Sequence, residues 1–88
     1  MRRRVVVHGL VQGVFFRDSV RRRASSAGVS GWVRNNPNGT VEAVFEGEQD
    51  AVDRLVDFCR EGPRGGALVD GIEVYEEEPE GLAEFRIS

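Results

Sequence analysis

Gly9-Leu10-Val11-Gln12-Gly13-Val14-Phe15-Phe16-Arg17 lies between a β-branched run and a helical pattern, and its reading sets the first unit of the fold. Ahead of it, residues 2–8 carry three arginines and then Val5-Val6-Val7, which reads as a buried strand. Beyond it, residues 17–27 read as a helix: Phe16, Val20, Ala24 and Ala27 recur at helical spacing, with Arg21, Arg22 and Arg23 interspersed. Gly28 is placed to stop that helix. Inside the stretch, Gly9 and Gly13 remove side chains where the backbone must turn tightly or come close to a ligand. The loop feeds straight into a helix, so free backbone N–H groups lie beside the positive end of the helix dipole. Together these features make an anion site. Arg17 falls in the first helical turn, where its planar fork can donate two parallel hydrogen bonds to phosphoryl oxygens. The Lys and Ser/Thr of a Walker loop and the third glycine of a dinucleotide fingerprint are missing. Local chemistry therefore reaches an anion site and stops short of a reaction.

Outward from the loop, residues 29–35 and 40–46 read as two strands. Asn36-Pro37-Asn38-Gly39 joins them: Pro37 suits the second position of a type I turn, and Gly39 tolerates the left-handed conformation after it. Residues 49–61 read as a second helix with Val52, Leu55, Val56 and Cys59 on one face, ended by Gly62-Pro63. Residues 68–75 read as a fourth strand, 76–81 as an acidic solvated turn, and 82–87 as a short last strand. Strand, helix, strand, strand, helix, strand is the split βαβ order of an α+β protein. The expectation is one domain over residues 1–88, with no linker, repeat or low-complexity segment.

Composition narrows the classes. Net charge is −3, but the halves differ: residues 1–44 carry +6 and residues 45–88 carry −9. A basic first half can draw in an anion; equally, the two halves can neutralise each other across one domain. No apolar run approaches a membrane span. Met1-Arg2-Arg3-Arg4 precedes only three valines before His8 and Gly9, too short for a signal-peptide core, so the expected location is cytoplasmic. Cys59 is the one cysteine, which excludes an internal disulfide and reads as a buried apolar side chain. His8 reads as structural, and no Cys/His cluster has metal-ligand spacing. Trp32 reads as core or sheet packing.

Gly9-Leu10-Val11-Gln12-Gly13-Val14-Phe15-Phe16-Arg17 resembles the signature of the acylphosphatase family. So does Gly31-Trp32-Val33-Arg34-Asn35, followed by Asn38-Gly39-Thr40-Val41-Glu42, in the family's order and at its separation. The resemblance is strong from Val5 to Gly47 and weaker afterwards. It implies a ferredoxin-like split βαβ sandwich, an antiparallel sheet with two helices on one face. It implies that Arg17 binds a phosphoryl group together with the backbone N–H groups of Gln12, Gly13, Val14, Phe15 and Phe16. It further implies that Asn35 orients the attacking water. In its own local context Asn35 also reads as a turn-initiating residue, because Asn-Pro and Asn-Gly pairs crowd the positions after it.

The implied substrate is an acyl phosphate and the products are a carboxylate and inorganic phosphate. Such a substrate suits a site with no paired carboxylates, no Ser or Cys beside a base, and no metal or cofactor. Its leaving group has a conjugate acid of pKa roughly 4, so it departs without a proton. An alkyl phosphate ester would call for a general acid or a metal. The alternative is a catalytically inactive phosphoanion- or nucleic-acid-binding module of the same fold. The RNA-recognition strand motif is missing and the pI is near 5.1, so the expected partner is a small molecule, with no nucleic acid and no membrane, and the expected state is a monomer.

Overall fold

The structure is a computed structural model and describes all 88 residues. The elements are β1 (Arg2–Leu10), α1 (Phe16–Ser26), β2 (Ser30–Asn35), β3 (Val41–Glu46), α2 (Gln49–Glu61), β4 (Leu68–Glu77) and β5 (Phe85–Ile87). They form one five-stranded sheet in the order β4-β1-β3-β2-β5, with both helices packed on one face. No helix is long and apolar enough to cross a membrane.

Strand alternation explains the two faces. Val5 and Val7 of β1, Val41, Ala43 and Phe45 of β3 and Val33 of β2 point to the helices and are buried. They meet Phe16, Val20 and Ala24 of α1 and Val52, Leu55, Val56 and Cys59 of α2 in one core. Each valine, leucine and phenylalanine among them contributes about 1.5–3 kcal/mol by leaving water. Burial also pushes the Cys59 thiol up to about 12, so it is inert packing. Ala27 departs from the expected stripe. The helix ends at Ser26 and Ala27 is its exposed C-cap, with its N–H bound back to Arg23 and Ala24.

On the opposite face, the charge halves meet. Arg2 pairs with Glu46 (2.8 Å), Glu77 (2.9 Å) and Glu80 (3.2 Å). Arg4 pairs with Glu42 and Glu77, and Arg34 with Glu42. This neutralisation corrects the reading of residues 76–81 as a solvated turn. Glu76 and Glu77 continue β4, because Glu77 is held between Arg2 and Arg4. Trp32 lies half-buried on this face, under the Arg34 guanidinium (4.9 Å to the ring centroid). His8 is exposed there, with its Nε2 2.6 Å from Glu73.

The family resemblance implies an antiparallel sheet, and here the sheet is mixed. β5 runs parallel to β2, pairing Gly31 with Phe85 and Val33 with Ile87. The reason is the route of residues 78–84. β4 finishes beside Arg2, at the end of the sheet where β2 begins. The chain passes along that end to the far edge and can only re-enter in the direction of β2. Glu46 fastens this crossing: its carboxylate accepts the N–H groups of Glu80 (2.9 Å), Gly81 (3.1 Å) and Leu82 (3.1 Å) besides Arg2. Burial alone would raise the Glu46 carboxyl, but these amides and Arg2 outweigh it and pull it down to about 2.

A stability prediction arises here. The folded-state value lies below the ordinary 4.5, so the stabilisation by Glu46 is complete above about pH 4.5. It is lost as the pH falls towards 2, and amounts to roughly 3 kcal/mol. Glu46→Gln leaves Arg2 short of a buried partner and is expected to lower the unfolding free energy at pH 7 by about 3 kcal/mol. Urea titrations of both proteins between pH 7 and 2.5 check this, with the gap between them closing at the acid end.

Candidate active site

β1, β2 and β5 all end at the same end of the sheet, opposite the crossing. The strand β1 leaves the sheet through a bulge between His8 and Gly9. Gly9 (φ +133°) is held so close to β4 that a Cβ would meet the Leu68 carbonyl oxygen at 2.0 Å. Its role is therefore strand packing, while Gly13 (φ +74°) faces open space and serves the turn itself. Phe15 (φ 59°, ψ 24°) is left-handed and N-caps α1 without a side-chain cap. No protein acceptor takes the N–H groups of Gln12, Gly13, Val14 or Phe15. With the first turn of α1, which has no side-chain cap, they are donors without protein acceptors at the positive end of a dipole.

Arg17 stands at the rim of this set. Its Nη1 donates to the Ser88 carbonyl oxygen at 3.3 Å, and no carboxylate pairs with it. That distinguishes it from Arg2, Arg3, Arg4, Arg21, Arg22 and Arg34, all held by acids. A cavity of about 270 Å³ is lined by Val11, Gly13, Phe15, Phe16, Arg17, Asp18, Asn35 and Ile87. It thus brings Arg17 and Asn35 together, 18 residues apart in sequence.

The hairpin separates its asparagines by task. The turn begins at Asn36, whose carbonyl accepts the Gly39 N–H (3.1 Å), and Gly39 is left-handed at φ +91°. The Asn36 side-chain amide donates to Thr40 Oγ1 (3.0 Å) and Glu42 (3.2 Å). Asn38 Oδ1 accepts the Thr40 N–H (3.1 Å) and hydroxyl (2.7 Å). The turn is closed without Asn35. Asn35 extends β2 two residues past Val33 on the helix-facing side, and its exposed amide meets no protein partner. Arg34, next to it, points to the other face and is bound by Glu42.

Gln12 has a function that sequence reading missed. Beyond its free backbone N–H, its Nε2 donates to the carbonyl oxygens of Asn36 (2.8 Å) and Thr40 (3.0 Å). The side chain ties the loop between β1 and α1 to the turn that follows Asn35. Ile87 and Ser88 were also missed, because their arrival depends on the parallel β5. No local signal marks either.

A larger groove of about 660 Å³ crosses the helical layer between Ser19, Arg22, Arg23, Phe58, Glu61 and Arg64. It receives the C-terminal, negative end of α2, Arg22 is bound to Asp18, and Arg23 lies over the Phe58 ring. The smaller cavity is the one lined by Arg17, by Asn35 and by loop residues whose N–H groups have no protein acceptor.

The architecture is that of the ferredoxin-like α+β sandwiches, here with Arg17 and Asn35 lining one cavity beside the start of α1. The sequence profile of the acylphosphatase family matches residues 3–87. An acylphosphatase of Rubrobacter xylanophilus is 65% identical over 80 residues, 91% of this chain and 72% of the relative. One of Gloeobacter violaceus is 53% identical over 87 residues, covering 99% and 92%. The crystal structure of acylphosphatase from Bacillus subtilis superposes with a TM-score of 0.92 at 34% identity, covering 99% of this chain and 97% of that one. The chain belongs to the acylphosphatase family, hydrolases of acyl phosphates.

Proposed function

We propose that the chain hydrolyses acyl phosphates through Arg17 and Asn35, acting as one domain over residues 1–88. The phosphoryl group sits in the loop, its oxygens receiving the N–H groups of Gln12, Gly13, Val14, Phe15 and Phe16 and a bidentate pair of bonds from Arg17. Asn35 holds a water in line through its amide oxygen. An amide has no basicity to offer, so Asn35 positions and does not deprotonate. The water oxygen forms the new bond to phosphorus while the bond from phosphorus to the carboxyl oxygen breaks. The carboxylate leaves with the bonding electrons, and a phosphoryl oxygen takes the second water proton, giving H₂PO₄⁻. Positioning and charge stabilisation are what this transfer asks of a protein.

The observation that carries the reading is the unbonded amide of Asn35 lining the same cavity as Arg17, whose guanidinium has no carboxylate partner. The test is direct. Benzoyl phosphate should yield benzoate and phosphate in equal amounts, at a rate that excess EDTA leaves within about twofold. A rate lost in EDTA and restored by magnesium would contradict the scheme. The reading extends to a cytoplasmic monomer with a small-molecule substrate and no nucleic-acid or membrane partner. The capture of Arg2, Arg3, Arg4 and Arg34 by carboxylates supports the lack of a nucleic-acid partner, since these arginines are already neutralised.

A further inference from the structure

The acyl half of the substrate is covalently joined to the phosphoryl group, so it must leave the cradle through the cavity mouth. Two side chains stand there with no share in the phosphate chemistry. Phe15 is 81% exposed and Ile87 is 40% exposed, and both line the cavity that holds Arg17 and Asn35. The left-handed backbone of Phe15 serves the loop by aiming its amides. Its ring serves neither the loop nor the core, since only its neighbour Phe16 is buried. A small polar residue or glycine would hold that conformation with less strain. Ile87 is delivered to the same mouth by the parallel β5, one residue before Ser88 meets Arg17. The one acidic group of the lining, Asp18, is directed to Arg21 and Arg22.

We infer that Phe15 and Ile87 form an apolar subsite for the acyl group and make aryl and branched aliphatic acyl phosphates the preferred substrates. The inference rests on the phosphate site proposed above and assigns the other half of the same substrate. A benzoyl ring flat against Phe15 and Ile87 removes apolar surface from water that an acetyl methyl is too small to reach. At the usual area coefficient this separates the two by about tenfold in kcat/KM.

The experiment measures kcat and KM for benzoyl phosphate and acetyl phosphate with the wild-type chain, F15A and I87A, and phosphate affinity for each. Comparing variants at a fixed substrate pair cancels the intrinsic reactivity of the two compounds. The benzoyl-to-acetyl ratio of kcat/KM should fall at least threefold in each variant, chiefly through the benzoyl KM. A ratio held within threefold in I87A overturns the inference; F15A decides likewise if it still binds phosphate. If the wild-type chain turns over neither compound, the underlying site assignment fails instead, which is a different result.

Discussion

Arg17→Ala is expected to lose inorganic phosphate binding and turnover together, with kcat/KM for benzoyl phosphate down by about a thousandfold or more. One backbone or amide donor aimed at a developing anion is worth about 10²–10³ in rate. Arg17 offers two donors and a full charge, so the loss lies at the upper end or beyond. The loop amides persist in the variant, but without a cation they hold a dianion only by partial charges. Arg17→Lys restores charge without the fork and should recover only part of the loss. Folding is not the cause: the one protein contact of the guanidinium is a 3.3 Å bond to Ser88 on the surface. The melting temperature should move by about 2 °C or less. Calorimetric titration with phosphate beside initial-rate kinetics checks both halves; a variant that kept phosphate affinity would remove Arg17 from the site.

How far the sequence reaches is set by how local each cause is. The second helix, Gln49–Glu61, matches its expected bounds because its apolar face, Val52, Leu55, Val56 and Cys59, and its Gly62-Pro63 stop all act within a few residues. The turn at Asn36–Gly39 is legible for the same reason. The direction of β5 is not, because it follows from a crossing fastened by Glu46, some 40 residues from the strand it constrains. The extension of β4 through Glu77 is hidden likewise. Read alone, three consecutive glutamates mark solvated chain; the arginines that neutralise Glu77 come from the other end of the sequence. Within the candidate site, the loop between β1 and α1 is legible from glycine spacing and the helix start. The choice between Asn35 and Asn36 is not, since both suit a turn and only the hydrogen-bonding of Thr40 and Glu42 decides which one is occupied. Gln12 shows the opposite limit: its backbone place is readable, while its side-chain reach across 24 and 28 residues is not.

Asn35→Ala separates binding from chemistry and is the sharper of the two tests. The phosphate donors of the proposed scheme are Arg17 and the loop amides, none of which Asn35 touches. Phosphate affinity should therefore stay within about threefold of the wild type. Turnover should fall about a thousandfold, because the loss of an oriented water forfeits much of what positioning supplies. The substitution is gentle on the fold: Asn35 is an exposed strand residue with no side-chain hydrogen bond, and its neighbour Asn36 keeps the turn. Asn35→Asp extends the argument. A carboxylate could accept a water proton, so if the reaction lacked only a base this variant would be active. In the proposed geometry it faces the incoming phosphoryl dianion instead, and like charges at close range oppose binding. The expected outcome for Asn35→Asp is weakened phosphate binding and low turnover at pH 7, with partial recovery as the pH drops and the carboxyl is protonated. Its stability contribution is secondary; what is measured is the pH profile of kcat/KM beside that of Asn35→Ala, which should show no such recovery. Substantial hydrolysis by Asn35→Ala would take the water-positioning role away from Asn35 and leave the anion cradle standing without it.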